Sequence, residues 1–240
     1  TGGVVQSGDV NIGGSTDFST VASGSTITST TDSAINWNTF NIASDETLNF
    51  NIADGKTLVN NVTGSQLSDI LGKMNQPGGG GYGGYVVLVN PNGIHIGGTA
   101  SFDVSNLTLS TLNVASEDFL KYAAGENSNL YSSKDAAKGA QAITVDQGAN
   151  FNMANNLTLQ AGKITVADGV TFVVAAGTRE ARLNVIAADT FSVKEDEGAG
   201  SQKATTVQGN DAAFHGTVKA DANRDADVTI AGSTVNLDRA

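Results

Sequence analysis

The 240-residue chain contains no cysteine, so no disulfide framework holds it and its stability has to come from a long core. Proline occurs only at Pro77 and Pro91. Aromatic residues make up 6% and charged residues 15% of the chain. Lys and Arg number 13 against 24 Asp and Glu, giving a net charge of -11 and a pI near 4.4. With no basic stripe to displace counterions, the charge argues against nucleic acid or an anionic membrane surface as partner. No run approaches the roughly 18 consecutive apolar residues of a membrane span, so no membrane insertion is expected. His95 and His215 are the only histidines. A transition-metal site would therefore have at most two strong ligands besides carboxylates, and neither a metal nor another cofactor is expected.

What the chain does have is 29 glycines and 39% hydrophobic residues, the balance of many short strands, tight turns and a narrow aliphatic core. It is too apolar and too weakly charged to be disordered. Strands follow one another densely from 142 to 175: Ala142-Ile-Thr-Val145, Phe151-Asn-Met153, Leu157-Thr-Leu159, Lys163-Ile-Thr-Val166 and Val170-Thr-Phe-Val-Val174. Turns such as Asp146-Gln-Gly148 and Asp168-Gly169 separate them. Strands this short, without helical crossovers, predict an all-β chain wound as a right-handed parallel β-helix, a solenoid. At about 20 residues per coil the expectation is roughly ten rungs and a rod on the order of 50 Å.

Repeats point the same way. Asn41-Ile-Ala-Ser-Asp-Glu-Thr-Leu48 returns as Asn51-Ile-Ala-Asp-Gly-Lys-Thr-Leu58, and Asn106-Leu-Thr-Leu109 returns as Asn156-Leu-Thr-Leu159 with one residue inserted before the second Asn. Both echoes suggest stacked coils. Residues 1–30 alternate weakly and read as an N-terminal cap over the coils of 31–240, since an open stack would expose strand edges. Short extra-helical elements are expected as well. Helices are predicted at Ser65–Gly72, where Leu67, Ile70 and Leu71 share a face, and at Ser116–Gly125. Loops are predicted near 76–84, 116–139 and 194–204. Asp227-Val-Thr-Ile230 and Thr234-Val-Asn-Leu237 end without a capping signal, so the chain reads as a fragment of a longer solenoid.

The most informative stretch is Gly84-Tyr-Val-Val-Leu-Val-Asn-Pro-Asn-Gly-Ile-His-Ile-Gly98. Val86, Leu88, Ile94 and Ile96 keep one parity across a four-residue break. In that break Asn90, Pro91, Asn92 and Gly93 suit a type I turn. His95 alternates with two isoleucines and is expected to face outward in a surface role. A catalytic reading finds only His215, Asp221, Arg224, Asp225 and Asp227 near one another, which look like a charged turn. The side chains of Asn90 and Asn92 either pin the turn alone or are also read by a partner, and the first reading is favoured.

The run Val89-Asn-Pro-Asn-Gly-Ile94, followed by Ser110-Thr-Leu-Asn-Val114, resembles the signature of the two-partner secretion domain, also called the haemagglutination activity domain. Ile35-Asn-Trp-Asn-Thr-Phe-Asn-Ile42, Glu46-Thr-Leu-Asn-Phe50 and Val59-Asn-Asn-Val-Thr-Gly-Ser-Gln-Leu-Ser-Asp-Ile-Leu-Gly72 resemble the family upstream of it. Ala175-Ala-Gly177 does so downstream, for a coverage of roughly 30–180. The Asn-Pro-Asn-Leu motif of many members is absent, and Thr57-Leu-Val-Asn-Asn-Val-Thr63 stands in its place, as in the adhesin-type branch.

This resemblance implies a single secretion domain opening a large Gram-negative exoprotein, with its signal peptide already removed. Its partner would be a cognate outer-membrane pore transporter, met through that transporter's periplasmic domains, and its destination the medium or cell surface. Asn90, Pro91, Asn92, Gly93 and Ile94 become the secretion or structural motif, with Trp37, Phe40 and Asn41 as supporting positions. A chain without cysteine also has no cross-link to obstruct threading through a pore. The alternative is an adhesin segment that binds a host glycan or receptor directly, for which Tyr82, Tyr85, Tyr122 and Tyr131 are the aromatic candidates. A polysaccharide-active enzyme ranks third.

Overall fold

The computed structural model describes residues 1–76, 83–116, 118, 120, 129–139, 141–174, 181–195, 202–209, 211–220 and 226–237. Two strands, β1 (Gly3–Ser7) and β2 (Val10–Ile12), precede the first coil. That coil holds β3 (Thr26–Ser29) and β4 (Ser33–Trp37). β1 lies antiparallel on β4 and β2 antiparallel on β3, so both strand edges at this end are paired and not left as templates for other chains. Phe18 is carried under the cap by the Gly3–Phe18 bridge and is fully buried.

The remaining coils come in chain order. The second holds β5 (Thr47–Ile52), β6 (Thr57–Val62) and β7 (Ser68–Ile70); the third holds β8 (Lys73–Asn75), β9 (Tyr85–Val89) and β10 (Ile94–Ile96). The fourth begins with β11 (Ser101–Ser110), leaves the rod through β12 (Asn129–Ser133) and returns at β13 (Ala142–Val145). The fifth is β14 (Asn150–Ala161) and β15 (Lys163–Val166). The sixth is β16 (Thr171–Val174), β17 (Ala181–Glu195), β18 (Gln202–Gly209) and β19 (Asp211–Phe214). The seventh is β20 (Thr217–Ala220), β21 (Ala226–Ala231) and β22 (Thr234–Leu237).

Like strands stack in parallel on three faces, so the chain is a parallel β-helix. Long strands β11 and β14 each run around the corner between the first two faces: β11 pairs with β8 through Ser101–Asp103 and with β9 through Asn106–Ser110. The third face is the six-stranded sheet β7-β10-β13-β15-β19-β22, extended by the Ile42–Ile70 bridge. Among the described residues this makes seven layers, not ten, and a stack of about 30 Å at ~4.8 Å per layer. Coil lengths explain the difference. Ser68 pairs with Ile94, 26 residues on, and Ile94 with Ile143, 49 residues on, because the excursion through β12 intervenes.

The excursions build their own structure. β12, the distal half of β17 and β18 form an antiparallel sheet beside the rod. Lys194, Glu195 and residues 202–204, expected in a loop, are thus paired strand residues. Leu112, Val114 and Leu120 lie over the second face, where they cover Val59, Val87, Val89 and Ile186. At β6 and β9 that face is buried on both sides, which is why β9 reads Tyr-Val-Val-Leu-Val without alternation.

The interior is laddered. Phe102, Phe151 and Phe172 stack in successive layers with ring centroids 4.5 and 4.7 Å apart, and Phe214 at the end of β19 stacks on Phe172 at 5.3 Å. Asn156 donates to Asn106 (3.1 Å) and Gln160 to Ser110 (2.9 Å). The 50-residue echo is therefore true coil-on-coil register, and its inserted residue falls at the register shift between Val104 and Asn106. The ten-residue echo has a different origin. Asn41–Leu48 and Asn51–Leu58 are two consecutive corners of the winding chain, each a short apolar step, a tight turn and a new strand.

The helix expected at Ser65–Gly72 does not form. Ser68–Ile70 is a strand between β10 and the Ile42 bridge, and Ile70 enters the core while Leu67 is exposed. Three apolar residues at helical spacing gave way to a continuous parallel sheet. Ser116, Asp118 and Leu120 are helical, and the rest of the helix expected there lies outside the described residues. So do residues 77–82 of the glycine-rich loop.

Candidate functional site

At the end of β9 the chain must turn a corner from the second face to the third, and Asn90 makes the turn. Its backbone O accepts from Gly93 N (3.1 Å), closing the turn, and its N–H donates to Ser110 O (2.8 Å) in the next coil. The side chain is fully buried. Nδ2 donates to Gln66 O (3.0 Å) and Ser68 Oγ (2.9 Å), while Oδ1 accepts from Asn92 N (2.9 Å) and Asn92 Nδ2 (2.7 Å). Every hydrogen-bonding direction of the amide is thus used inside the protein. Asn92 Nδ2 also reaches Gly64 O (2.9 Å) and Gln66 O (3.2 Å).

Pro91 is buried where no N–H is needed. Gly93 has a φ of 116°, a conformation that favours glycine, and accepts from Ser68 N (3.0 Å). Ile94 is buried and in register with Ser68 on one side and Ile143 on the other.

The segment grasped by this turn, residues 64–70, is held from its other side by the preceding coil. Asp69 N donates to Asn41 Oδ1 (2.9 Å), Ile42 N to Asp69 O (3.0 Å) and Leu71 N to Ile42 O (2.8 Å). Trp37 lies edge-on to Phe18 (5.9 Å, 84°) and Phe40 (5.6 Å, 81°). Its Nε1–H donates to buried Asn60 (3.0 Å), and Asn60 Nδ2 donates on to Val87 O (3.2 Å). The structure thus brings Asn41, Asn90 and Asn92 to one segment from coils above and below. Trp37 and Phe40 pack separately, toward the capped end.

Sequence reasoning missed several partners. Ser68 completes the Asn90 network, Asn60 ties Trp37 to β9, and Gln76 fastens the β11 bulge by accepting from Ser105 N (3.0 Å) and donating to Gly84 O (3.2 Å). His95 faces outward as expected, but not into free solvent: its Nδ1 lies 2.7 Å from Asp69 Oδ1 and its Nε2 2.8 Å from Asp146 Oδ2. Those contacts give the outward-facing ring two carboxylate partners. Finding them from sequence needed the coil lengths, which the excursion hides.

Most of the other candidates lie outside the described residues. Tyr85 is half-buried in β9, and burial raises its pKa. The side chain of Tyr131 and all of Tyr82 and Tyr122 lie outside the described residues, as do Asp221, Arg224 and Asp225.

Three consecutive coils are thus tied together by the segments around Trp37, Gly64 and Asn90. Among known families, the model of the TPS secretion domain matches residues 3–239. The chain belongs to this two-partner secretion family. No curated protein matches it. Among solved structures, the HMW1 secretion domain from Haemophilus influenzae is similar over 98% of this chain, with a TM-score of 0.74 at 21% identity. This chain spans 56% of the length of that one. The filamentous hemagglutinin secretion domain is also similar, over 99% of both chains, with a TM-score of 0.45 at 13% identity. The HMW1 likeness supports the β-helical fold, and the family match gives this TPS domain a role in export through a two-partner system.

Proposed function

We propose that this chain is the secretion domain of a large exoprotein, engaged by the periplasmic domains of a cognate outer-membrane transporter, and that its folding outside the cell nucleates the β-helix. The family match over 3–239 carries the reading. The single secretion domain comprises an N-terminal cap, whose strands β1 and β2 precede the first coil, and the stacked coils that begin at β3. The motif Asn90, Pro91, Asn92, Gly93 and Ile94 acts by closing one coil on the next. A transporter has no access to a fully buried Asn90 in the folded coil, so recognition happens before the coils close. At that stage the strands offer unpaired N–H and C=O groups that can extend a partner's sheet.

Folding then supplies a ready edge for further coils, since β20, β21 and β22 form the last described layer in the same parallel register. No catalytic role is proposed for a secretion domain. The test is binding of the transporter's purified periplasmic domains to this chain freshly diluted from urea and to the refolded chain. Capture of the diluted chain with little affinity for the refolded one is expected. Equal affinity for both would refute recognition before coil closure.

A further inference from the structure

On the outer side of the third face one imidazole ties three coils together. Asp69 stands beside His95 in register on β7, and Asp146 directly follows β13 on the other side, two residues past Thr144, which is directly opposite His95. The ring nitrogens are 2.7 and 2.8 Å from the two carboxylates, the length of charge-assisted N–H to carboxylate bonds. A neutral imidazole has one N–H and one lone pair, so it can donate to only one of them and must set its lone pair against the other. Only the imidazolium donates to both.

We propose that Asp69, His95 and Asp146 form a proton-dependent clamp that fastens the coils of β7, β10 and β13 to one another. The two carboxylates are 26 and 51 residues from His95, and Asp146 arrives only when the excursion through β12 has returned to the rod. Closing the clamp therefore couples the docking of β13 to the uptake of a proton. The inference rests on the geometry alone and stands whether or not the chain is exported.

The charged groups acting on His95 are Asp146 and Asp69. Thr144 from β13 is uncharged, and Ile94 and Ile96 on its own strand point into the core. The hydrogen bond to Asp146 is the largest influence and raises the His95 pKa above the ordinary histidine value; partial burial opposes it and Asp69 adds to the rise. A pKa raised in the folded state means that the clamp contributes fully below the unfolded value of about 6.5 and is lost as pH rises through the folded value.

The experiment is an NMR titration of the histidine rings in the whole chain, with His95→Gln assigning the two resonances and the His215 signal reporting folding. His95 is expected to carry protons on both nitrogens at about pH 6 and to titrate above the ordinary range. Asp146→Asn and Asp69→Asn should each lower its midpoint, the first more. Urea midpoints should place wild type above His95→Gln at about pH 6, with the gap closing toward about pH 9. A singly protonated ring at the lower pH, a midpoint at or below the ordinary value, or a gap independent of pH would overturn the clamp. The wild-type ring spectrum alone decides the first two outcomes, even if an aspartate variant does not fold.

Discussion

Replacing Asn90 by Ala tests the turn most sharply. The substitution removes two donated bonds, to Gln66 O and Ser68 Oγ, and two accepted ones, from Asn92 N and Nδ2. Gln66 O keeps a bond from Asn92, so the main loss falls on buried Ser68 Oγ and the Asn92 backbone N–H. A bond is worth about 1 kcal/mol net, and a buried group left unpaired costs about 1–3 kcal/mol. The sum for Asn90→Ala is about 3–5 kcal/mol, or roughly 10 °C in Tm for a chain of this size. Asn92→Ala gives up bonds at a half-buried position, for about 1–2 kcal/mol. Asn90→Asp keeps the acceptors but turns a carboxylate oxygen toward Gln66 O, and should be at least as damaging as Ala. Urea unfolding monitored by circular dichroism gives the order. A cost for Asn90→Ala below that of Asn92→Ala would refute the claim that the buried amide holds the coils together.

Other contacts make equally definite demands. Phe151→Ala empties the middle of the stacked ring ladder and should cost about 3–5 kcal/mol in urea unfolding, with Phe151→Leu intermediate. Gly3→Ala would place a Cβ 2.6 Å from the Trp37 ring and 2.8 Å from Phe18 Cβ, lifting β1 at a cost of about 1–3 kcal/mol. Trp37 is the chain's only tryptophan, so a red-shifted emission maximum in that variant would report the opened cap. Asn60→Ala leaves the Trp37 Nε1–H without its acceptor, and a loss of about 1–3 kcal/mol is expected, read by thermal unfolding at 222 nm or by Trp37 fluorescence.

Much of the fold was legible because a β-helix writes local rules at every corner. The Asn-Pro-Asn-Gly turn, the alternation of Ile94 and Ile96 and the Asn-Leu-Thr-Leu echo each carry their structure within a few residues. Layer count was not legible, because coils of 21 to 28 residues are interleaved with excursions that double the separation of paired strands. The same excursion hid the Asp69–His95–Asp146 contact, whose members are unremarkable until their coils are aligned. At Leu67, Ile70 and Leu71 local spacing favoured a helix, and pairing with β10 on one side and Ile42 on the other outweighed it. Asn60 went unnoticed because an amide inside an apolar strand shows its purpose only when the Trp37 indole above it is placed.

The most direct test of the account is transport itself: the chain, fused to an export signal, produced in cells with and without the cognate outer-membrane transporter, and quantified in the medium. The account predicts secretion with the transporter and retention without it. Equal appearance in the medium in both strains would contradict it.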